Sequence, residues 1–314
     1  MGLQVETDGV PYKFKGRFCV RGDLQKEGVD FFETYAPVVQ WSTVRMLLTF
    51  VLANDWVTRQ VDYTNVFAQA DINEEVYVEP PKDFGSKSGE ARVLKLNKSL
   101  YGLRQAPRTF FEKLRAGLLE RGFRQSNVDH CLFMKRDMVC VVYVDDTIFG
   151  GPDPEAIERE IQGLGVSRDV ERHTFQLRDE GEVGDFLGIR IAKTGPREFM
   201  LTQTGLIDKV LKTSGMNHST SVRTPAHVTP VGSDKDGAPF DEDWDYAAVI
   251  GMLLYLSGNS RPDIAYAVSQ CCRFTHNPKA SHGVAVKRIL RYLQGTRDKG
   301  ICFRPESHLN VDCS

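Results

Sequence analysis

Hydrophobic and polar positions change their rhythm along the chain. Up to Ile191 most patterned stretches alternate; beyond Thr202 apolar residues recur at helical spacing. Residues 11–22 alternate basic or small with aromatic or apolar. They predict a half-exposed strand with Lys13, Lys15 and Arg17 on one face and Tyr12, Phe14 and Phe18 on the other. Gly22–Gly28 is a polar turn, and Ser42 is placed to cap a helix holding the apolar run Val44–Trp56. A short strand ends at Asp62. Glu75–Glu79 alternates cleanly until Pro80-Pro81, Phe84–Glu90 is a Gly/Ser-rich loop, and Val93–Leu103 reads as a strand with a turn at Tyr101-Gly102. Pro107 suits the first turn of a helix to about Arg121, with Phe110, Phe111, Leu114, Leu118 and Leu119 as its core face and Gly122 closing it. Val139–Phe149 is a run of β-formers interrupted by Asp145-Asp146, so Leu132–Phe149 reads as a hairpin with two acids at the tip. A charged helix over Pro152–Gly163 and short strands within 166–191 follow. Thr204–Ser214 is helical, 217–243 is a polar loop and the best boundary candidate, and helices lie near 245–257, 261–274 and 279–294.

The tip of the hairpin carries the first chemistry. Adjacent carboxylates repel, and burying them is costly unless a cation compensates. A hard divalent ion with oxygen ligands does so, and Asp62 is the candidate third carboxylate. The competing reading of Asp62 is an Asx turn closing a strand.

Composition narrows the field. With 314 residues the chain has room for two or three subdomains, and 41% hydrophobic and 26% charged residues are ordinary for a globular protein. No stretch reaches the roughly 20 apolar residues of a membrane helix, and no secretory pattern opens the chain. Seven cysteines, most in apolar runs, fit free thiols in a reducing compartment, the cytoplasm. Cys272, His276 and His282 compete as zinc ligands against a reading as core and helix-surface residues; no Cys-x-x-Cys pair supports zinc. A net charge of −2 excludes a globally basic nucleic-acid binder. Basic residues nonetheless cluster in Lys95–Arg124 and Lys287–Lys299, where phosphate contacts and solvated helix faces are both sufficient explanations. Likewise Lys13, Lys15 and Arg17 suit either a triphosphate or a charge-protected edge.

Several blocks, in order, carry a resemblance: Phe31–Val39, Val61-Asp62 to Phe67, Glu75–Pro81, Lys98–Arg108, Tyr143-Val144-Asp145-Asp146, Phe186-Leu187-Gly188, Ser260–Ile264 and Lys287–Leu293. The chain resembles the reverse transcriptase region of a copia-type LTR-retrotransposon polyprotein over nearly its whole length. The resemblance implies an α+β right-hand polymerase: fingers and a ferredoxin-like palm of antiparallel sheet and helices over 1–191, a helical thumb and connection over 192–303, and in 304–314 the start of a link to a missing ribonuclease H domain. It implies that integrase lies outside this stretch as well. It implies RNA-directed DNA synthesis on an RNA template with a DNA or RNA primer, dNTPs and two Mg²⁺ ions, Mn²⁺ being the substitute.

By the same resemblance Asp62, Asp145 and Asp146 are the catalytic, metal-binding acids, with the Tyr63 backbone carbonyl as a further ligand. Lys13, Lys15, Arg17, Phe67 and Tyr101 would bind the dNTP. Phe67 would exclude a 2′-hydroxyl, against a plain core reading. Gly102, Arg104, Gln105, Arg108 and Tyr143 would meet template and primer. Gly16-Arg17-Phe18-Cys19 departs from the usual fingers residues. The resemblance implies no membrane partner and a cytoplasmic home, within a virus-like particle for an active element. The alternative from another class is a catalytically silent remnant that only binds nucleic acid.

Overall fold

The computed structural model describes residues 2–5, 11–80, 93–165 and 173–305, with backbone alone for 2–5 and 11–15. The sequence-based expectations for Phe84–Glu90 and for most of 304–314 therefore lie outside the described residues. The chain divides into two compact units, Met1–Leu47 with Trp56–Glu182, and Leu48–Asp55 with Val183–Ser314. Its elements in order are β1 (Gly2–Val5), β2 (Pro11–Lys15), α1 (Trp41–Ala53), β3 (Val57–Tyr63), β4 (Tyr77–Val78), β5 (Leu94–Lys95) and α2 (Ala106–Glu120). There follow β6 (Arg124–Gln125), β7 (Leu132–Lys135), β8 (Met138–Tyr143), β9 (Asp146–Gly151), α3 (Pro154–Gly165) and β10 (Leu177–Gly181). The rest are β11 (Asp185–Phe186), β12 (Ile189–Gly195), β13 (Glu198–Thr202), α4 (Thr204–Thr213), α5 (Tyr246–Asn259), α6 (Ala265–Cys272), α7 (Ala280–Gln294) and β14 (Ile301–Phe303).

The first unit is built on an antiparallel sheet of order β10-β3-β9-β8-β7-β6. Alternation along β3 turns Val61 and Tyr63 into the core and Asp62 to the opposite face. The Tyr63 ring meets Phe110 of α2 edge-on at 5.3 Å and Phe175 at 5.5 Å. The buried stripes Phe110, Leu114, Leu118 on α2 and Ile157, Ile161, Leu164 on α3 complete that side. Leu119, expected in the core, is 37% exposed, because it sits about 100° round the helix from Leu118. The expected hairpin forms, with β8 and β9 paired from Val139↔Gly150 to Tyr143↔Asp146.

Ser42 does not cap α1, which starts one residue earlier. The Asp129 carboxylate serves its N-terminus instead, accepting from Gln40 N–H at 3.0 Å and Thr43 Oγ1 at 2.6 Å. A cap supplied from so far along the chain leaves no local trace. The strands expected at 75–79 and 93–103 shrink to a two-residue ladder, Tyr77↔Lys95 and Val78↔Leu94; Pro80 has no N–H to extend it. The strand expected over 11–22 ends at Lys15.

In the second unit a sheet of order β11-β12-β13-β14 accompanies a helical core that includes Ile207, Leu211, Val249, Leu253, Val268, Ile289 and Leu293. The polar segment 217–243 separates nothing: it lies within this unit, laced to α7. Arg291 Nε donates to Thr220 O at 2.7 Å, Arg288 Nη2 to Thr224 Oγ1 at 2.7 Å, and Lys287 Nζ to Glu242 Oε1 at 2.5 Å. The His282 ring joins in, accepting Lys279 N–H at Nδ1 and donating from Nε2 to Gly232 O, both at 2.9 Å. With both ring nitrogens engaged, His282 has none to offer zinc. Among the described residues no helix is long and apolar enough to cross a membrane.

Candidate active site

Strand register assembles the site. β3 pairs with β9 as Asp62↔Asp146, and β8 with β9 as Tyr143↔Asp146, so side chains from three strands stand in one row. Val144 and Asp145 form the turn between β8 and β9. Val144 has φ +50°, a conformation β-branched residues adopt only under constraint. The two-residue connection between the paired Tyr143 and Asp146 calls for it, and Tyr63 N–H on β3 ties the turn down by donating to the Asp145 carbonyl at 3.2 Å. The same bond holds the turn beside Asp62.

Like charges at the end of one sheet have an electrostatic cost. The Asp146 carboxyl is pushed up to about 6, by burial first and then by the Asp145 charge; Asp62 and Glu180 add to the rise and a Gln60 hydrogen bond opposes it. β10 extends the row on its other side, with Arg178 opposite Asp62 and ion-paired to Glu180. Sequence reasoning missed Gln60, Arg178 and Glu180. The alternation of Phe175 and Leu177 with Gln176, Arg178 and Glu180 was there to signal a strand, but nothing local says that it lies beside β3.

Hard carboxylate oxygens crowded enough to favour a proton suit a divalent cation. Among the described residues no three His, Cys, Asp or Glu side chains are arranged to hold an ion unaided.

Aromatic rings lie close by. Phe67, in the 3-10 turn Val66–Gln69, meets Tyr101 edge-on at 4.9 Å, and the Arg17 guanidinium stands 5.5 Å from the Tyr101 ring centre. The Tyr101 hydroxyl is raised by burial first, against Arg17, with the charges of Asp145 and Asp62 adding; the ring is thus within electrostatic reach of the acids. Lys13 and Lys15 lie on β2, with their side chains outside the described residues.

The residues expected at template and primer are largely engaged within the unit. Gly102 has φ +93°, and a Cβ there would stand 2.1 Å from Val20 O, so its lack of a side chain serves backbone packing. Arg104 donates from Nε to Gly22 O at 2.7 Å, and Arg108 from Nη1 to Tyr35 O at 3.2 Å while pairing with Glu33. Gln105 is 2% exposed and donates to Asp30 O at 2.8 Å; it holds the loop and presents no surface to a template.

Asp62 and Asp146 paired across β3 and β9, with Asp145 in the adjoining turn and the Phe67–Tyr101–Arg17 contacts nearby, make up a candidate active site of the acidic, cation-attracting type. The chain matches the family described as "Reverse transcriptase (RNA-dependent DNA polymerase)" over residues 4–228, and it belongs to that family. It is similar to the Retrovirus-related Pol polyproteins from transposons RE1 and RE2 of Arabidopsis thaliana, at 35% and 32% identity over 97% of its length. To that from transposon TNT 1-94 of Nicotiana tabacum it is 32% identical over 96%. The chain spans 20%, 21% and 23% of these polyproteins. The copia-type resemblance drawn from the motif blocks is borne out. Among solved structures it is similar to telomerase from Candida albicans, at 10% identity over 83% of this chain and 50% of that one, with a TM-score of 0.28.

Proposed function

We propose that the chain is the polymerising part of an RNA-directed DNA polymerase, joining a deoxynucleotide to a primer 3′-hydroxyl on an RNA template. The observation that carries this is the Asp62–Asp146 row with Asp145 in the adjoining turn, in a chain of the reverse transcriptase family. Fingers and palm fall in the first unit, the palm being the six-stranded sheet with α2 and α3. Thumb and connection are assigned to the second, Leu48–Asp55 with Val183–Ser314. The other domains of such polyproteins, ribonuclease H and integrase among them, are its proposed partners.

Asp62, Asp145 and the Tyr63 carbonyl would hold two magnesium ions, or manganese in their place, which when bound supply the charge that activates a 3′-hydroxyl and steadies a leaving pyrophosphate. Asp146 lends its field from within the row. Phe67 fills the space a 2′-hydroxyl would need, with Tyr101 against it. By the sequence resemblance Arg17, Lys13 and Lys15 would meet the triphosphate, and Arg104, Arg108 and Tyr143 would meet template and primer, the two arginines leaving their internal partners to do so. No protein nucleophile takes part, so the rate comes from positioning and charge.

Primer extension on an RNA template by the purified chain, in Mg²⁺ and then Mn²⁺, tests the proposal. Templated incorporation is expected, and Phe67→Val should relax the preference for dNTP over rNTP by about tenfold or more. Salt-dependent binding to primer–template with no extension under any condition would leave only the silent binder.

A further inference from the structure

The polar turn Gly22–Gly28 and the loop 101–105 are pressed backbone to backbone. A Cβ on Gly22 would stand 2.0 Å from Gly102 O, and Val20 N–H donates to Tyr101 O at 2.8 Å. One side chain joins the two segments through both its polar atoms. Gln25 Oε1 accepts Arg104 N–H at 2.8 Å, and Gln25 Nε2 donates to Gln105 Oε1 at 3.0 Å. Gln105 passes the contact on, donating to Asp30 O at 2.8 Å. The segment so joined carries Arg17 at its start, and the loop carries Tyr101, whose ring lies under Arg17 and against Phe67.

We propose that Gln25 is a positioning residue for the nucleotide site. It clamps 101–105 to 16–30, and so sets Tyr101, and through it Phe67, against Arg17, although Gln25 itself touches no nucleotide. The chemistry of the amide explains the choice of residue. The amide offers an acceptor and a donor from one rigid planar group, and both are used here. A carboxylate at the position keeps the acceptor and loses the donor. Alanine loses both and leaves the buried Gln105 Oε1 without this donor. With the glycine backbones in direct contact there is no slack between the segments, so a shift of one moves the other.

Resting on the nucleotide site proposed above, the test uses the full chain and its Gln25→Ala, Gln25→Glu and Phe67→Val variants. Affinity is read by titrating dGTP onto the chain bound to a primer–template with a dideoxy-terminated primer. Discrimination is read from single-nucleotide extension with dGTP against GTP. Gln25→Ala should raise the dGTP Kd and KM about three- to tenfold, with kcat within about twofold and primer–template affinity unchanged. The preference for dGTP should fall by a similar factor, with Gln25→Glu intermediate. Gln25→Ala combined with Gln105→Ala should be no worse than the more severe single change, since the two amides act as one unit. Unchanged dGTP affinity and preference, a fall in kcat at constant KM, or a parallel loss of primer–template affinity would each overturn the role. If Phe67→Val relaxes the preference and Gln25→Ala does not, the Gln25 role fails alone. If Phe67→Val changes nothing, the nucleotide-site reading fails and takes Gln25 with it. Should Gln25→Ala not fold, Gln25→Glu carries the same readouts.

Discussion

The two units treat charge in opposite ways. In the second, Arg261 is 0% exposed, yet every guanidinium nitrogen is matched: Nε and Nη2 donate to the two Asp263 oxygens, at 3.0 and 2.8 Å, and Nη1 to Thr296 O at 2.8 Å. In the first, Asp62, Asp145 and Asp146 are gathered at one end of a sheet, where their charges raise the Asp146 carboxyl. Matched charge holds a fold together; like charge kept in place against its own repulsion marks a place where an outside cation is expected. As sequence, Ser260–Ile264 and Tyr143–Asp146 are equally conspicuous blocks, and only geometry separates the clamp from the active-site candidate.

Exchanging one charge in each unit should have the largest effects, and of different kinds. Asp145→Asn should lower primer extension by about 1,000-fold or more while leaving the fold at least as stable. Arg261→Leu should cost about 2 kcal/mol or more in urea unfolding of the chain, because it removes the charged hydrogen bonds to Asp263 and Thr296. An Asp145→Asn chain that still extends primers, or an Arg261→Leu chain as stable as its parent, would erase the distinction.

The pH dependence of stability sharpens the contrast. Asp146 is held at about 6 against an ordinary 3.8, so the folded chain binds that proton more tightly than the unfolded one. Its contribution therefore worsens as pH rises from about 4 to 6 and stays unfavourable above that. Asp263 runs the other way. Burial pushes it up, but hydrogen bonds from Arg261 and Tyr292 bring it below 3.8, so its contribution is present at neutral pH and is lost as pH falls through its lowered folded value. In EDTA, Asp146→Asn should gain about 1 kcal/mol above pH 6, roughly 2–4 °C in Tm, and nothing near pH 4. Asp263→Asn should lose stability at pH 7. Melting curves that slope the same way for both variants would contradict the assignment.

Element positions were largely legible from sequence: the 132–149 hairpin, α2 behind Pro107, and the last three helices follow from periodicity and breakers. Long-range partners were not. Asp129 at the start of α1, Gln25 against Gln105, and Arg178 beside Asp62 join residues far apart in the chain, and no local pattern encodes such a pair. Asp62 was legible only because the motif blocks singled it out, since alone it passes for a turn residue. Burial corrected Gln105, whose place in a motif had suggested a surface role.

The smallest effect separates the two basic blocks. Lys287–Lys299 and Lys95–Arg124 look alike as sequence, each suited to phosphates or to solvent. On α7, Arg291 Nε donates to Thr220 O at 2.7 Å, and Arg288 and Lys287 are likewise bonded to 217–243, so these cations hold their own chain. Arg291→Ala should cost about 0.5–1 kcal/mol of stability, the net worth of one such bond. It should leave the salt dependence of primer–template binding unaltered, because a cation that meets no phosphate releases no counterion on binding. Arg108 is the counterpart. It also bonds internally, to Tyr35 O and Glu33, but it lies in the unit that carries the acids. Arg108→Ala should reduce the slope of log K against log salt by about one unit if its guanidinium reaches a phosphate. A slope changed by Arg291→Ala and untouched by Arg108→Ala would exchange the two blocks, making α7 the nucleic-acid surface and the Arg108 pair the brace.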